Sequence, residues 1–249
     1  MDKSDRGRQL WLAAVLLTRV PLPHLPNDAF SKGADAVWAY PLIGVAVGAG
    51  AVLVGQLALW FGLPVYGAAA LTLTTMMLLT GAMHEDGLAD VFDGFWGGYT
   101  PERRLEIMRD SQIGTFGVLA LIMVSILRLS AIAALLVNWW PAIIVAAVLS
   151  RAVMPILMNT LPHARKDGLS HSVGQPTSGT TALAIGIGAL LSLFMIAGAG
   201  VIGICAALAV AIAIALLAKQ KIGGQTGDVL GTVQQLSEAA VLLCCAAML

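Results

Sequence analysis

Residues 63–83 read L-P-V-Y-G-A-A-A-L-T-L-T-T-M-M-L-L-T-G-A-M, and residues 84–94 continue without a break as H-E-D-G-L-A-D-V-F-D-G. The first segment carries no charged side chain, and as a helix it is about 30 Å long, the thickness of a bilayer's hydrocarbon core. It reads as a membrane span that delivers His84 to the surface. In the second segment Asp86, Asp90 and Asp93 stand at i, i+4 and i+7, so a helix lines them along one face. Carboxylates so close repel one another unless positive charge lies between them. No Lys or Arg is interleaved, which favours a divalent cation over a merely solvated acidic helix end. Hard oxygen donors without a His/Cys cluster point to Mg²⁺ or Mn²⁺ rather than zinc. Gly87 and Gly94 remove side chains beside the acids and are expected to leave room for a bulky, phosphate-bearing ligand.

The rest of the chain agrees with a membrane setting. Of its 249 residues 58% are hydrophobic and only 11% charged, with a mean hydropathy of +0.86. Soluble domains carry about 25% charged residues. Little sequence is left for a separate soluble unit, so residues 1–249 are expected to form a single membrane-embedded domain. Cys205, Cys244 and Cys245 lie in apolar runs, without metal spacing or a disulfide framework. The short apolar run Leu10–Leu17 leads into Arg19 and V-P-L-P rather than a small-residue cleavage site, so no cleavable signal is expected.

These features predict an all-α polytopic integral membrane protein with about seven transmembrane helices. Leu10–Leu17 is too short to span and is expected to form an interfacial or half-inserted helix, ended by Pro21 and Pro23; Asn27–Asp35 reads as a polar loop. Spans are expected over Val37–Phe61, Leu63–Met83, Gly114–Val137, Ala142–Leu161, Thr181–Ala197, Val201–Ala218 and Val229–Leu249. A second interfacial helix is expected over Pro101–Ser111, with Thr100 as its N-cap, Pro101 at the first helical position and Glu102 facing the dipole. Trp139-Trp140-Pro141 suits a turn at the far interface.

Charge fixes the orientation. Twelve of the fourteen Lys/Arg fall in the N-terminal segment, 84–113, 162–180 and 219–228, all on one side of this arrangement. The positive-inside rule makes that side cytoplasmic. The acidic stretch then faces the cytoplasm, where nucleotides and Mg²⁺ are available. The zero net charge and the motifs imply no nucleic-acid partner.

Further candidates flank the acids. Asp110, at the same depth, is a fourth candidate ligand, or else an ordinary helix-end acid. His84 is read as a general base, a phosphate partner or a polar interfacial residue. Arg109 is read as a phosphate contact or an exposed surface pair. The loop Gly223–Asp228, with Gly224, Gln225, Thr226 and Asp228, resembles a phosphate-presenting turn before a helix, though not a Walker motif. Arg128, Arg151 and Glu238 lie within spans, where each costs about 2.5–3.5 kcal/mol at mid-bilayer without a partner. Arg151 and Glu238 stand ten residues from the cytoplasmic ends of their spans, so they are expected at matching depth as a pair. The other reading turns Arg151 or Arg128 to a cytoplasmic cavity, where it neutralises a diphosphate.

The chain resembles the cobalamin-5′-phosphate synthase (adenosylcobinamide-GDP ribazoletransferase) family. The matching segments are L-T-R-V-P-L-P (17–23), Y-P-L-I-G (40–44), H-E-D-G-L-A-D-V-F-D-G (84–94), R-R-L-E-I-M-R-D-S-Q-I-G-T-F-G (103–117), S-R (150–151), G-G-Q-T-G-D-V-L-G (223–231) and S-E (237–238). The resemblance implies a Mg²⁺-dependent phosphotransferase of the bacterial inner membrane. It joins α-ribazole, or its 5′-phosphate, to adenosylcobinamide-GDP and releases GMP. Asp86, Asp90 and Asp93, with Asp110, would then be the metal ligands, and Asp93 or Asp110 would accept the proton of the ribazole 5′-hydroxyl. Glu85 is not carried over as a ligand. Assembly into homo-oligomers stays open. The rival class is an ion-coupled transporter using Arg128, Arg151 and Glu238; against it, the motifs cluster on one face and no inverted repeat is visible.

Overall fold

The computed structural model describes residues 3–23 and 32–249. Among these the regular structure is helical, with one isolated parallel bridge between His163 and Gln225. Six helical segments are long and apolar enough to cross a membrane: Gly33–Trp60, Thr115–Asn138, Pro141–Thr160, Ser178–Ile196, Ala199–Ile222 and Gly227–Ala246. A seventh candidate is a pair of helices bent by 88°. The fold class is as the sequence predicts.

The bent pair decides where the acids go. Helix α4 (Val65–Thr80) ends at Gly81, whose φ of 66° only glycine adopts without strain. The Gly81 amide donates to the Leu78 carbonyl and the Ala82 amide to that of Met77. Ala82 also sits at positive φ, 55°. Two left-handed residues in succession redirect the chain, and α5 (Met83–Gly97) leaves at nearly a right angle. The uncharged span expected over 63–83 is therefore a sixteen-residue helix followed by a corner. At fifteen residues α5 is too short to cross a bilayer by itself; it packs against α7 and α13, with Glu85 near its start turned to Arg128. It buries Leu88, Val91 and Phe95, while Asp86 stays exposed and Asp90 half-buried.

Two helices form the centre. Of the segment Pro141–Thr160, 89% is buried, and of α13 (Gly227–Ala246) 72%, against 28% for both α11 (Ser178–Ile196) and α12 (Ala199–Ile222). The expected single span over 142–161 is α8 (Pro141–Ala152) and α9 (Met154–Thr160), broken at Val153. Pro155 has no N–H to continue the ladder and disfavours helical geometry before it. Helix α7 (Thr115–Asn138) is two-faced. Phe116, Leu119, Met123 and Ile126 are exposed as a lipid-facing stripe, and Gly117, Ala120, Val124, Arg128 and Ala131 face inward.

Helix α1 (Lys3–Leu17) is longer than the apolar run suggested. Leu12, Ala13, Leu16 and Leu17 are buried, and the Trp38 indole N–H donates to Gln9 Oε1 at 2.7 Å. The expected polar loop over 27–35 lies outside the described residues up to 31, and Gly33–Ala36 forms the short α2. It leads through a 3₁₀ turn (Val37–Ala39) into α3 (Tyr40–Trp60). The interfacial helix α6 is Pro101–Ile107, with the Thr100 side chain capping it as predicted. It stops short of Ser111 because Arg109 and Asp110 donate to carbonyls three residues back. A short α10 (Leu169–Val173) closes the loop before α11.

Candidate functional site

Helix α5 crosses α13 where both carry glycine. A Cβ on Gly87 would stand 2.9 Å from the Asp228 Cα, and one on Gly231 3.2 Å from the His84 Cα. This approach brings Asp228, in the first turn of α13, against the Asp86–Asp90 face of α5. The space expected beside Gly87 for a ligand is thus occupied by the α13 backbone. Likewise the Met108 side chain and the Arg104 carbonyl fill the space beside Gly94.

The acids form an unbalanced cluster. Asp90 is pushed up to about 7, first by burial, then by the negative charges of Asp228, Asp86 and Asp93; Arg165 opposes the rise. Arg165 reaches Asp228 Oδ2 at 3.2 Å and Asp167 Oδ1 at 3.7 Å. The expected ligands do not stand alike. Asp93 is buried, and its two oxygens accept the amides of Gly114 (2.7 Å) and Gly117 (2.9 Å). It is the charged cap of α7, where four helix amides lack internal partners. A Cβ on either glycine would run into this carboxylate, which explains the G-T-F-G spacing. Asp110 is exposed, and its Oδ1 accepts the Gln112 amide at 3.0 Å.

Asp86 is a wall shared by two unlike cavities. The smaller, about 140 Å³, has apolar sides from Leu16, Leu17, Tyr40, Met154 and Met158 and a polar end of His84, Asp86, Arg165 and Asp228. The larger, about 330 Å³, is lined by Asp86, Asp90, Arg109, Asp110 and the backbone turn Ser111–Ile113. Arg109 also holds Asp167 through one nitrogen at 2.7 and 2.8 Å.

Behind this face lies a second charged group of opposite character. Arg128 donates from one nitrogen to Glu85 Oε1 (3.1 Å) and Gln235 Oε1 (2.5 Å), and from the other to Glu238 Oε1 (2.5 Å). Arg151 reaches Glu238 Oε2 at 3.4 Å and the Ala147 carbonyl at 3.0 Å. Gln234 donates to Glu238 Oε2 at 2.7 Å, and Gln235 to Glu85 Oε1 at 3.0 Å. All are buried. The pairing of Arg151 with Glu238 expected from their depth is present. Arg128 and Arg151 line neither cavity, so the alternative diphosphate role has no support from their position. Glu85, set aside as a ligand, anchors α5 instead. His84, next to Glu85, is buried beside this network. Among the described residues neither of its ring nitrogens has a hydrogen-bond partner.

The loop before α13 is mainly a clip. The Gln225 amide donates to the Pro162 carbonyl and the Ala164 amide to that of Gln225. The Gln225 side chain is held by Ser170 and His163, and Thr226 caps α13 through the Val229 amide. A Cβ on Gly224 would strike the Pro162 carbonyl oxygen. Gln225 and Thr226 are buried away from the cavities, and of the loop Gly227 and Asp228 reach a cavity wall.

A hard dication suits the donors that remain. Among the described residues no three His, Cys, Asp or Glu side chains converge as a ready-made metal cage. Mg²⁺ rarely uses one. It keeps several waters and binds through one or two carboxylates together with substrate phosphates, and Asp86, Asp90 and Asp228 offer such oxygens in a field short of positive charge.

The chain matches the family model described as Cobalamin-5-phosphate synthase over residues 9–246. It is 43% identical over 241 residues to the adenosylcobinamide-GDP ribazoletransferase of Bradyrhizobium diazoefficiens, covering 96% of this chain and 93% of the relative. It is 44% identical to the enzyme of that name from Azorhizobium caulinodans (91% and 90% covered) and 40% identical to that of Mesorhizobium japonicum (93% and 90%). No solved structure matches it.

Proposed function

Because this chain belongs to the cobalamin-5-phosphate synthase family, we propose that it joins α-ribazole, or its 5′-phosphate, to adenosylcobinamide-GDP, releasing GMP. The product is adenosylcobalamin or its 5′-phosphate. The observation that carries this reading is Asp86 as the common wall of two unlike cavities. A transfer between two substrates needs such a meeting point. The smaller cavity, with apolar sides, suits the flat base of the ribazole. The larger, rimmed by acids and Arg109, suits the diphosphate of the donor.

One or two of Asp86, Asp90 and Asp228, together with substrate phosphate, would hold Mg²⁺, with Mn²⁺ as the alternative. Bound there, the ion would supply charge neutralisation for the diphosphate and the departing GMP. The chain's own groups account for the remaining steps. Asp93 fixes the N-terminus of α7 and with it the turn 111–113 at the cavity wall. A free ribose hydroxyl of the ribazole attacks the cobinamide-side phosphorus, and the bond from that phosphorus to the bridging oxygen breaks. The 5′-oxygen, which carries the phosphate in the 5′-phosphate acceptor and keeps it in the product, is not the nucleophile. GMP departs with the bridging oxygen. Both oxygens of Asp93 already accept amides, so Asp110 is the acid left to take the hydroxyl proton at the larger cavity. Arg109 contacts phosphate at the same wall.

The arginines and lysines of 103–109, 165–166 and 219–221 share the side of the acids. This supports a bacterial inner membrane location with the site facing the cytoplasm. The transporter reading is not favoured, since Arg128, Arg151 and Glu238 are tied to one another in a closed network.

The test is GMP release by the purified protein in lipid vesicles, supplied with adenosylcobinamide-GDP and α-ribazole. Release is expected with Mg²⁺, to stop on chelation, and to need the ribazole. Release unaffected by chelation would remove the metal from the account. No release under any condition would remove the reaction.

A further inference from the structure

Between the two cavities runs a chain of alternating charges whose ends, Arg109 and Asp228, enter the reaction as described and whose middle, Asp167 and Arg165, does not. Arg109, on the wall of the larger cavity, grips Asp167. Asp167 also approaches Arg165, at 3.7 Å, and Arg165, on the wall of the smaller cavity, pairs with Asp228 at 3.2 Å. The members of this chain of charges differ in burial, and the Asp228 side chain is 17% exposed. The Arg165 side chain is 15% exposed, whereas those of Arg109 and Asp167 are 53% and 62% exposed. Ion pairs so open to water contribute little to stability, so holding Asp167 between two guanidiniums is a weak device for fold stability. As a means of keeping two arginines aimed across the Asp86 wall it is effective, because a planar guanidinium suits bidentate capture of phosphate oxygens.

We propose that Arg165 and Arg109 form a two-sided clamp for the diphosphate of a nucleoside-diphosphate ester, and that Asp167 is its internal stand-in. The incoming diphosphate displaces the Asp167 carboxylate from both arginines. Arg165 stays anchored through Asp228, so it remains at the boundary of the cavities, while Arg109, on an exposed turn, closes over the ligand. This deepens the reading given above and rests on it for the identity of the donor; the clamp itself is a statement about diphosphate binding.

Substitution separates the parts, with the full chain in vesicles and the Michaelis constants of donor and ribazole measured separately. Arg165→Gln is expected to raise the donor constant about tenfold or more, the scale of one lost charge-assisted contact, and to raise it by more than the ribazole constant. Arg165→Lys should fall between Gln and the parent. Asp167→Asn should lower the donor constant, because the competing carboxylate is gone. Binding of inorganic pyrophosphate, followed by calorimetry, should weaken in Arg165→Gln and strengthen in Asp167→Asn. An unchanged donor constant in Arg165→Gln overturns the clamp, and so does a higher one in Asp167→Asn, which would make Asp167 a support rather than a stand-in. If Arg165→Gln does not insert, Asp167→Asn and Arg165→Lys decide by the same criteria. Absence of GMP release by the parent protein counts against the proposed reaction, and pyrophosphate binding then still judges the clamp.

Discussion

Neighbouring residues on the same two helices build two charged groups that behave in opposite ways. Glu85 and Glu238 meet Arg128 and Arg151 in the buried network, two negative charges against two positive, with Gln234 and Gln235 adding bonds to the carboxylates. Glu85 Oε2 and the Nε of both arginines are left without a partner among the described residues. One residue after Glu85, and ten before Glu238, Asp86 and Asp228 join Asp90 at the cavities with Arg165 as the cation beside them. The first group is balanced and closed. The second is short of positive charge and open to two cavities. A buried charge set that is neutral and hydrogen-bonded holds a fold together; a set that its own protein leaves unbalanced is prepared for something to bind.

Breaking the balanced group should have the largest effect. Arg128→Met leaves Glu85 and Glu238 buried without their shared cation, and is expected to destabilise by about 3–5 kcal/mol. Thermal unfolding in detergent checks this; a midpoint within a degree of the parent would deny the network its structural role. Removing the charge of the α7 cap comes next. Asp93→Asn keeps the shape, but its amide nitrogen cannot accept, so one helix amide loses its acceptor and the other loses a charged one, at about 1–2 kcal/mol, visible in the same unfolding experiment.

The unbalanced group should respond with the opposite sign. The folded pKa of Asp90, about 7, lies above the ordinary carboxylate value. Between the two values the folded state holds the extra proton, so its stability falls as pH rises through this window. In the presence of a chelator Asp90→Asn should therefore unfold at a higher temperature than the parent at pH 8, and at the same temperature at pH 4. A lower midpoint at pH 8 would mean that the acids do not repel. The smallest effect belongs to Arg103→Ala, which loses an exposed pair with Glu106; it should change stability by less than about 0.5 kcal/mol.

The two groups also differ in how far the sequence revealed them. Apolar windows of about twenty residues located the spans, because the bilayer imposes that length. The need of intramembrane arginines for partners, with 1.5 Å per residue, gave the Arg151–Glu238 pair. Asp86 and Asp90 were legible from helical spacing. The corner at Gly81–Ala82 was not, because it depends on two backbone conformations that apolar composition does not encode. Nor was the diversion of Asp93, which shares a face with Asp86 on paper but meets the amides of Gly114 and Gly117 from a helix twenty residues on. Gly87 looked like space for a ligand and proved to be the contact with α13. Arg165 sits in a loop without periodicity, so nothing in its spacing named Asp228 as its partner. Glu85 is set aside by the family resemblance, and nothing in the spacing points to its partner Arg128, forty-three residues away.

The most direct test of the contrast is GMP release per folded molecule by Asp86→Asn in vesicles, with Mg²⁺, adenosylcobinamide-GDP and α-ribazole supplied. If the unbalanced acids are the working centre, turnover should fall by on the order of 10²–10³-fold, the scale of losing one electrostatic stabiliser, while the unfolding midpoint stays at or above that of the parent. Turnover at the parental rate in a well-folded Asp86→Asn protein would contradict the account.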